Sequence, residues 1–189
     1  MSVLREEEFR GLDRLPPDAL YEVIDGEAKE ITPMGAVSGF IANEIEVYFR
    51  QARRSPKDLF LTEILFALPA PVSRRRRPDI AYVPADRVPL SWPPPRSIDP
   101  PAIAAVPAAV VEVISPTDLA AEVEEKRIEY LSVGVQSVLI VYPIARTIHV
   151  YDTAGFRVLL EGDTLTGLTA LPEVSIPITD LFAPLNSPR

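Results

Sequence analysis

Ala108-Ala-Val-Val-Glu-Val-Ile-Ser-Pro-Thr-Asp118 is an apolar run interrupted by one carboxylate and ended by a Ser-Pro step. Its β-branched residues predict a strand over Ala108–Ile114, covered on both faces. Ser115 as N-cap, Pro116 at the first helical position and Asp118 three residues on predict a helix from that point to about Leu131, closed by Gly134. A second apolar run, Gln136–Tyr142, follows. Strand, helix and strand in this order predict an α/β sheet. Glu112 is then the anomaly, because a lone carboxylate in such a strand costs several kcal/mol unless a cation, a metal or hydrogen bonds compensate it.

Reading upstream, Pro78-Asp-Ile-Ala-Tyr-Val83 predicts another covered strand, with Asp79 on the face of Ala81 and Val83. Leu59–Leu68 is almost continuously apolar and predicts one strand buried on both faces, with Glu63 inside it. Ile41, Ile45, Tyr48 and Phe49 recur at helical spacing and predict a helix over Val37–Arg54. Tyr21–Ile31 reads as a hairpin turning at Asp25-Gly26, and Pro16-Pro17 stops a short acidic helix over residues 5–15. Downstream, Thr147–Asp152 pairs with the preceding strand, and Gly155 and Gly162 punctuate a C-terminal β region over 153–183 that ends in a turn around Leu181-Phe182. Eight of the 21 prolines fall between Pro84 and Pro107, which predicts an ordered extended loop anchored by Trp92 and Ile98.

With 189 residues and 47% apolar composition the chain is expected to form one domain around a sizeable core. The absence of cysteine excludes disulfides, zinc fingers, iron–sulfur ligation and thiol nucleophiles, and the single histidine, His149, excludes an imidazole cluster. Any chemistry rests on carboxylates, Lys, Arg or hydroxyls, which favours oxygen-liganded hard cations. No segment reads as a signal or membrane span, so the expectation is a cytoplasmic protein with no membrane partner. The net charge of −8 hides an asymmetry: Arg50, Arg53, Arg54, Lys57 and Arg74–Arg77 stand against Asp58, Glu63 and Asp79, a local +5.

Only three lysines occur, and Lys126 lies on the apolar stripe of its helix with Leu119, Val123 and Tyr130, while Glu122, Glu125 and Glu129 fall on a side expected to be solvated. The strand advances about 10 Å from Glu112 to Ser115, and the helix returns about 12 Å from Asp118 to Lys126. A helix folded back on the sheet therefore brings Lys126 level with Glu112, and Asp79, Glu112 and Lys126 converge.

Tyr21-Glu-Val-Ile-Asp-Gly-Glu27, Arg77-Pro-Asp-Ile-Ala-Tyr-Val83, Val111-Glu-Val-Ile-Ser-Pro-Thr-Asp118, Lys126 with Glu129-Tyr130, and Gly134-Val135 resemble in order and spacing the Uma2 family of restriction-endonuclease-like proteins. That family is similar to a branch of the PD-(D/E)XK nuclease superfamily, and the resemblance covers Tyr21 to Phe182. It implies a restriction-endonuclease-like core with a mixed central sheet flanked by helices and added β-hairpins. It further implies a metal-dependent endonuclease hydrolysing nucleic-acid phosphodiester bonds, in which Asp79 and Glu112 hold Mg²⁺ or Mn²⁺. The superfamily lysine two residues after the second carboxylate is Ile114 here; in Uma2-like sequences the lysine has moved to the following helix, which matches Lys126. Glu27, ahead of Glu22 or Glu44, is the expected further ligand. Where the family often carries a histidine, this chain has Ser38-Gly39.

Arg53, Arg54 and Arg74–Arg77 are candidate contacts to a nucleic-acid backbone, DNA being the expected substrate. A solvated turn, or ion pairs with the acidic N-terminal segment, is the competing reading of Arg74–Arg77. Glu63 either ligates or pairs with an arginine, the pairing being favoured, and His149 is expected to be structural or exposed. The proline-rich loop and the apolar C-terminal strands predict a homodimer. The alternative function is a non-catalytic nucleic-acid-binding or interaction protein that retains the nuclease fold, and a third reading is a dimeric scaffold with a buried ion-pair network.

Overall fold

The computed structural model describes residues 9–90, 92 and 102–186. Its main sheet has six strands: β3 (Leu59–Thr62), β6 (Ile80–Val83), β7 (Ala109–Val113), β8 (Ser137–Tyr142), β9 (Thr147–Asp152) and β10 (Gly155–Leu159). The spatial order is β10-β9-β8-β7-β6-β3. Only β7 and β8 run parallel; they are joined by α2 (Ala120–Ser132), as a parallel pair requires a crossover. The expected mixed sheet of an α/β fold is present.

All five residues of β7 are buried, and their alternation assigns the two faces. Val111 and Val113 pack with Leu139, Val141, Ile148 and Val150 against α1 (Ala36–Gln51), α3 (Ile178–Phe182) and the hairpin β11 (Thr164–Thr166) with β12 (Ser175–Pro177). Val110 packs the other way with Val138, Ile140 and Tyr130 of α2, and with Phe66, Leu68 and Ile103. Glu112 shares the α2 face by the same two-residue period. A smaller antiparallel sheet lies beside α2, in the order β2 (Glu27–Glu30), β1 (Tyr21–Ile24), β5 (Arg75–Arg76), β4 (Phe66–Ala67).

Several expectations are corrected. The apolar run Leu59–Leu68 is two strands in two sheets, because Glu63 takes a left-handed conformation (φ 51°) and donates its N–H to the Asp79 carbonyl at 3.1 Å. The Ser115–Asp118 signature is a turn of its own: the Asp118 carboxylate accepts the Ser115 N–H at 2.7 Å, and α2 begins at Ala120. Leu119 is consequently 61% exposed and leaves the apolar stripe. Helix α1 ends at Gln51, so Arg53 and Arg54 lie in the following turn, where Asp58 accepts the Arg54 and Ser55 N–H groups. The expected turn at Leu181-Phe182 is helix α3. Of the expected helix over 5–15, the described part contains a 3-10 turn at Leu12–Arg14. Residues 5–8, 91 and 93–101 of the predicted N-terminal helix and proline-rich loop lie outside the described residues. Trp92 packs against the α2-side cluster. Among the described residues no helix is long and apolar enough to cross a membrane.

Candidate active site

Asp79 immediately precedes β6, whose Ile80 pairs with Val111. One further step of this antiparallel register sets Asp79 opposite Glu112, and directly opposed residues share a face. The Asp79 Oδ2 accepts the Val113 N–H at 2.5 Å. Two carboxylates facing each other across a ladder repel, and both lie in a low-dielectric environment. Burial, then Glu112, push the Asp79 carboxyl up to about 8. Glu112 is likewise raised by burial, and Lys126 opposes that rise.

Helix α2 supplies the partners from above. The Tyr130 hydroxyl donates to Glu112 Oε1 at 2.8 Å, and Lys126 Nζ lies 3.4 Å from Glu112 Oε2. Their four-residue spacing sets both on one face. The convergence of Asp79, Glu112 and Lys126 expected from strand and helix lengths is therefore present.

Glu22 of β1 joins them, with Oε1 at 3.0 Å from Lys126 Nζ. It is 2% exposed. Burial alone would raise its pKa, but Lys126 and Arg76 outweigh that and hold the carboxylate ionised. The ammonium of Lys126, though half-buried, is held protonated by Glu112 and Glu22. This replaces Glu27 as the additional acidic residue: Glu27 sits beside the tight Asp25-Gly26 turn, paired with Ile24, and is exposed at the hairpin rim. Glu44 lies on α1, whose core contacts are on the opposite side of the main sheet. Glu63 accepts the Met34 N–H at 3.1 Å; the favoured arginine contact exists, but Arg77 reaches the Glu63 carbonyl and not its side chain.

The arginine run is turned inward. Arg75 and Arg76 form β5, and Arg76 is 2% exposed. Its guanidinium donates to Glu129 Oε2 at 2.6 Å, Glu22 Oε2 at 2.8 Å, Glu129 Oε1 at 3.0 Å and Glu125 Oε2 at 3.2 Å. Arg74, on the same side, reaches Asp25, Glu125 and Glu129. Arg75 is buried with its guanidinium 4.2 Å from the Phe9 ring centroid, and Arg77 donates to the Tyr21 carbonyl. The contacts of Arg74 and Arg76 hold the smaller sheet to α2, and none of the four arginines is exposed, which corrects the reading of Arg74–Arg77 as backbone contacts for a nucleic acid. Glu129, expected in solvent, is buried by the same network. Arg53 and Arg54 are exposed, but they lie beyond the Leu59–Val83 pair, about 13 Å along β6 from Asp79. Ser38, at the place of the family histidine, is buried in α1.

Sequence reasoning named Arg76 as a nucleic-acid contact and not as the centre of a buried ion-pair network. Period-two alternation sets Arg74 and Arg76 on one face of a strand through the run but does not say that this face is covered.

Among the described residues no three carboxylate or imidazole groups form a metal cage. Two opposed carboxylates, both raised by burial and one by the other, nevertheless suit a hard cation that takes one or two protein carboxylates and completes its shell with water and phosphate oxygens, as Mg²⁺ does. A cation between them offsets the repulsion that raises Asp79.

No curated protein matches the sequence. Among solved structures, a protein from Anabaena variabilis described as "a putative nuclease belonging to DUF820" is similar over 90% of this chain and 94% of its own, with 18% identity and a TM-score of 0.73. At that identity the likeness concerns the fold. The family model described as "Uma2: Putative restriction endonuclease" matches residues 6–179. With almost the whole chain inside that match, the protein belongs to the Uma2 family.

Proposed function

We propose that this protein is a metal-dependent endonuclease that hydrolyses nucleic-acid phosphodiester bonds, with DNA as its substrate. The descriptions of its family and of its structural neighbour support a nuclease-like function. The observation that carries the finer reading is the pair Asp79 and Glu112, opposed across β6 and β7 with Lys126 beside them.

In this reading Asp79 and Glu112 hold Mg²⁺ or Mn²⁺. The chemistry supplied by the cation, when bound, is charge neutralisation at the phosphate and acidification of the attacking water. Tyr130 fixes the Glu112 carboxylate through Oε1 and leaves its other oxygen toward Lys126. Lys126 is held protonated, so it does not act as a base; its N–H groups orient the water or offset charge on the phosphate during in-line attack. Burial and Glu112 raise the Asp79 carboxyl to about 8, and Asp79 would hold the cation as the carboxylate.

The test is cleavage of supercoiled plasmid and of single-stranded DNA with Mn²⁺ or Mg²⁺. Wild type is expected to cut, and Asp79→Asn and Lys126→Ala each to lose at least about 100-fold, the several kcal/mol that a metal ligand or a charge-stabilising group supplies. Variants that cut as fast as wild type would place the chemistry elsewhere. DNA binding without metal-dependent cleavage would favour the non-catalytic alternative.

We also propose that the protein is a homodimer. Strand β10 ends the main sheet with one paired edge, and it leaves Phe156 58%, Val158 41% and neighbouring Leu160 54% exposed. A strand edge of this kind is self-complementary about a two-fold axis. Light scattering should give twice 20.8 kDa, and Val158→Glu should give the monomer mass. A monomeric wild type refutes the proposal.

A further inference from the structure

Lys126 stands between two carboxylates with different surroundings. Its Nζ is 3.0 Å from Glu22 Oε1 and 3.4 Å from Glu112 Oε2. Glu22 is held at both oxygens: Arg76 Nη1 donates to Oε2 at 2.8 Å and the Arg77 N–H to Oε1 at 3.0 Å. Arg76 also grips Glu129, three residues beyond Lys126 on α2, and so fixes the helix that carries the lysine. Glu112 belongs to the opposed pair with Asp79 and stands at the end of β7.

A lysine ammonium is a compact charge on a flexible stem, and when it pairs fully with a carboxylate it competes with any other cation for the same oxygens. A second carboxylate, fixed within reach of the same ammonium but away from the opposed pair, relieves that competition. We propose that Glu22 is a positioning residue that draws Lys126 away from Glu112, so that Glu112 is free to hold a divalent cation while Lys126 stays protonated beside it. This inference rests on the metal reading of Asp79 and Glu112 and adds to it a task for the smaller sheet. Glu22 acts here through Lys126 and is not itself a ligand.

The experiment is calorimetric titration of the full chain with MnCl₂, without nucleic acid, using wild type, Glu22→Gln, Lys126→Met and the double variant. Glutamine keeps the acceptor for the Arg77 N–H and removes the charge. Glu22→Gln is expected to bind Mn²⁺ about tenfold more weakly, because Lys126 collapses onto Glu112 with the strength of a charge-assisted hydrogen bond. Lys126→Met is expected to bind several-fold more tightly than wild type, and the double variant to match Lys126→Met, since Glu22 acts only through the lysine. Additive losses in the double variant would make Glu22 a direct ligand and overturn the inference. Equal affinity of wild type and Glu22→Gln would overturn it too, and in both cases the metal reading stands. If Glu22→Gln fails to fold by circular dichroism, Lys126→Met decides: affinity no tighter than wild type overturns the inference. A folded wild type that binds no Mn²⁺ overturns the metal reading, and the inference with it.

Discussion

Arg76→Met is expected to lower the unfolding free energy by about 3–5 kcal/mol, with a fall in Tm of roughly 10 °C, measured by urea denaturation and thermal melting at pH 7. Methionine fills much of the volume, so the loss is electrostatic. It takes one of two cations from each of the buried carboxylates of Glu22 and Glu129, leaving Lys126 beside the first and Arg74 beside the second. Removing one partner from a buried network costs far more than the pair itself contributes, because the remaining charge is under-compensated and gains no water. The pH dependence follows from Glu22, whose pKa lies below its ordinary 4.5 in the folded protein. A lowered pKa adds stability that is present above pH 4.5 and lost as pH falls through the folded value. The advantage of wild type over Arg76→Met is therefore largest near neutrality and narrows below about pH 4.5. Arg53→Met is the control: the exposed Arg53 side chain makes no salt bridge among the described residues, and little change is expected.

The same contrast marks what the chain discloses before folding. Glu112 and Asp79 were legible because each carboxylate breaks an apolar, β-branched run, and a polar residue in a covered strand has few explanations. Lys126 was legible because helical period and strand length are fixed quantities that survive an error in the helix start: α2 begins at Ala120 and not beside Ser115, yet Lys126 still meets Glu112. Arg76 and Glu129 were illegible for the opposite reason. A charge run is solvated in most sequences, and only the pairing of β5 with β1, a contact more than fifty residues apart, buries this one. Glu22 and Glu27 share one face of the hairpin, since Glu27 lies opposite Ile24, and only Glu22 is covered because its strand is the one that pairs with β5 while Glu27 stands at the turn on the edge strand. The break at Glu63 escaped likewise, since a left-handed glutamate inside an apolar run has no local signal.

Asp79→Asn is expected to make the metal-free protein more stable while removing its activity. The Asp79 carboxyl has an ordinary value of 3.8 and is pushed up to about 8 by burial and by Glu112. A raised carboxyl pKa means that folding forces the group to keep a proton it would release in the unfolded chain. Stability is fully present below about pH 4, where both states are protonated, and is lost as pH rises toward 8. That rise caps the loss near ~6 kcal/mol; water reaches part of the Asp79 side chain and screens the effect to about 2–3 kcal/mol. Asparagine carries no charge in either state, and its carbonyl oxygen still accepts the Val113 N–H. Thermal melting in EDTA at pH 8 should therefore show Asp79→Asn above wild type by roughly 5–10 °C, and the gap should close toward pH 4. Added Mn²⁺ should reverse the order. Wild type gains about 4.1 kcal/mol at a thousand times its dissociation constant, more than the gap, whereas the variant, short of one of two carboxylates, gains little. A wild type that melts above Asp79→Asn in EDTA at pH 8 would mean that Asp79 sits ionised and compensated, as in a structural ion-pair network. A crossing of the two curves with Mn²⁺ would mean that the strain between the opposed carboxylates is retained for a cation.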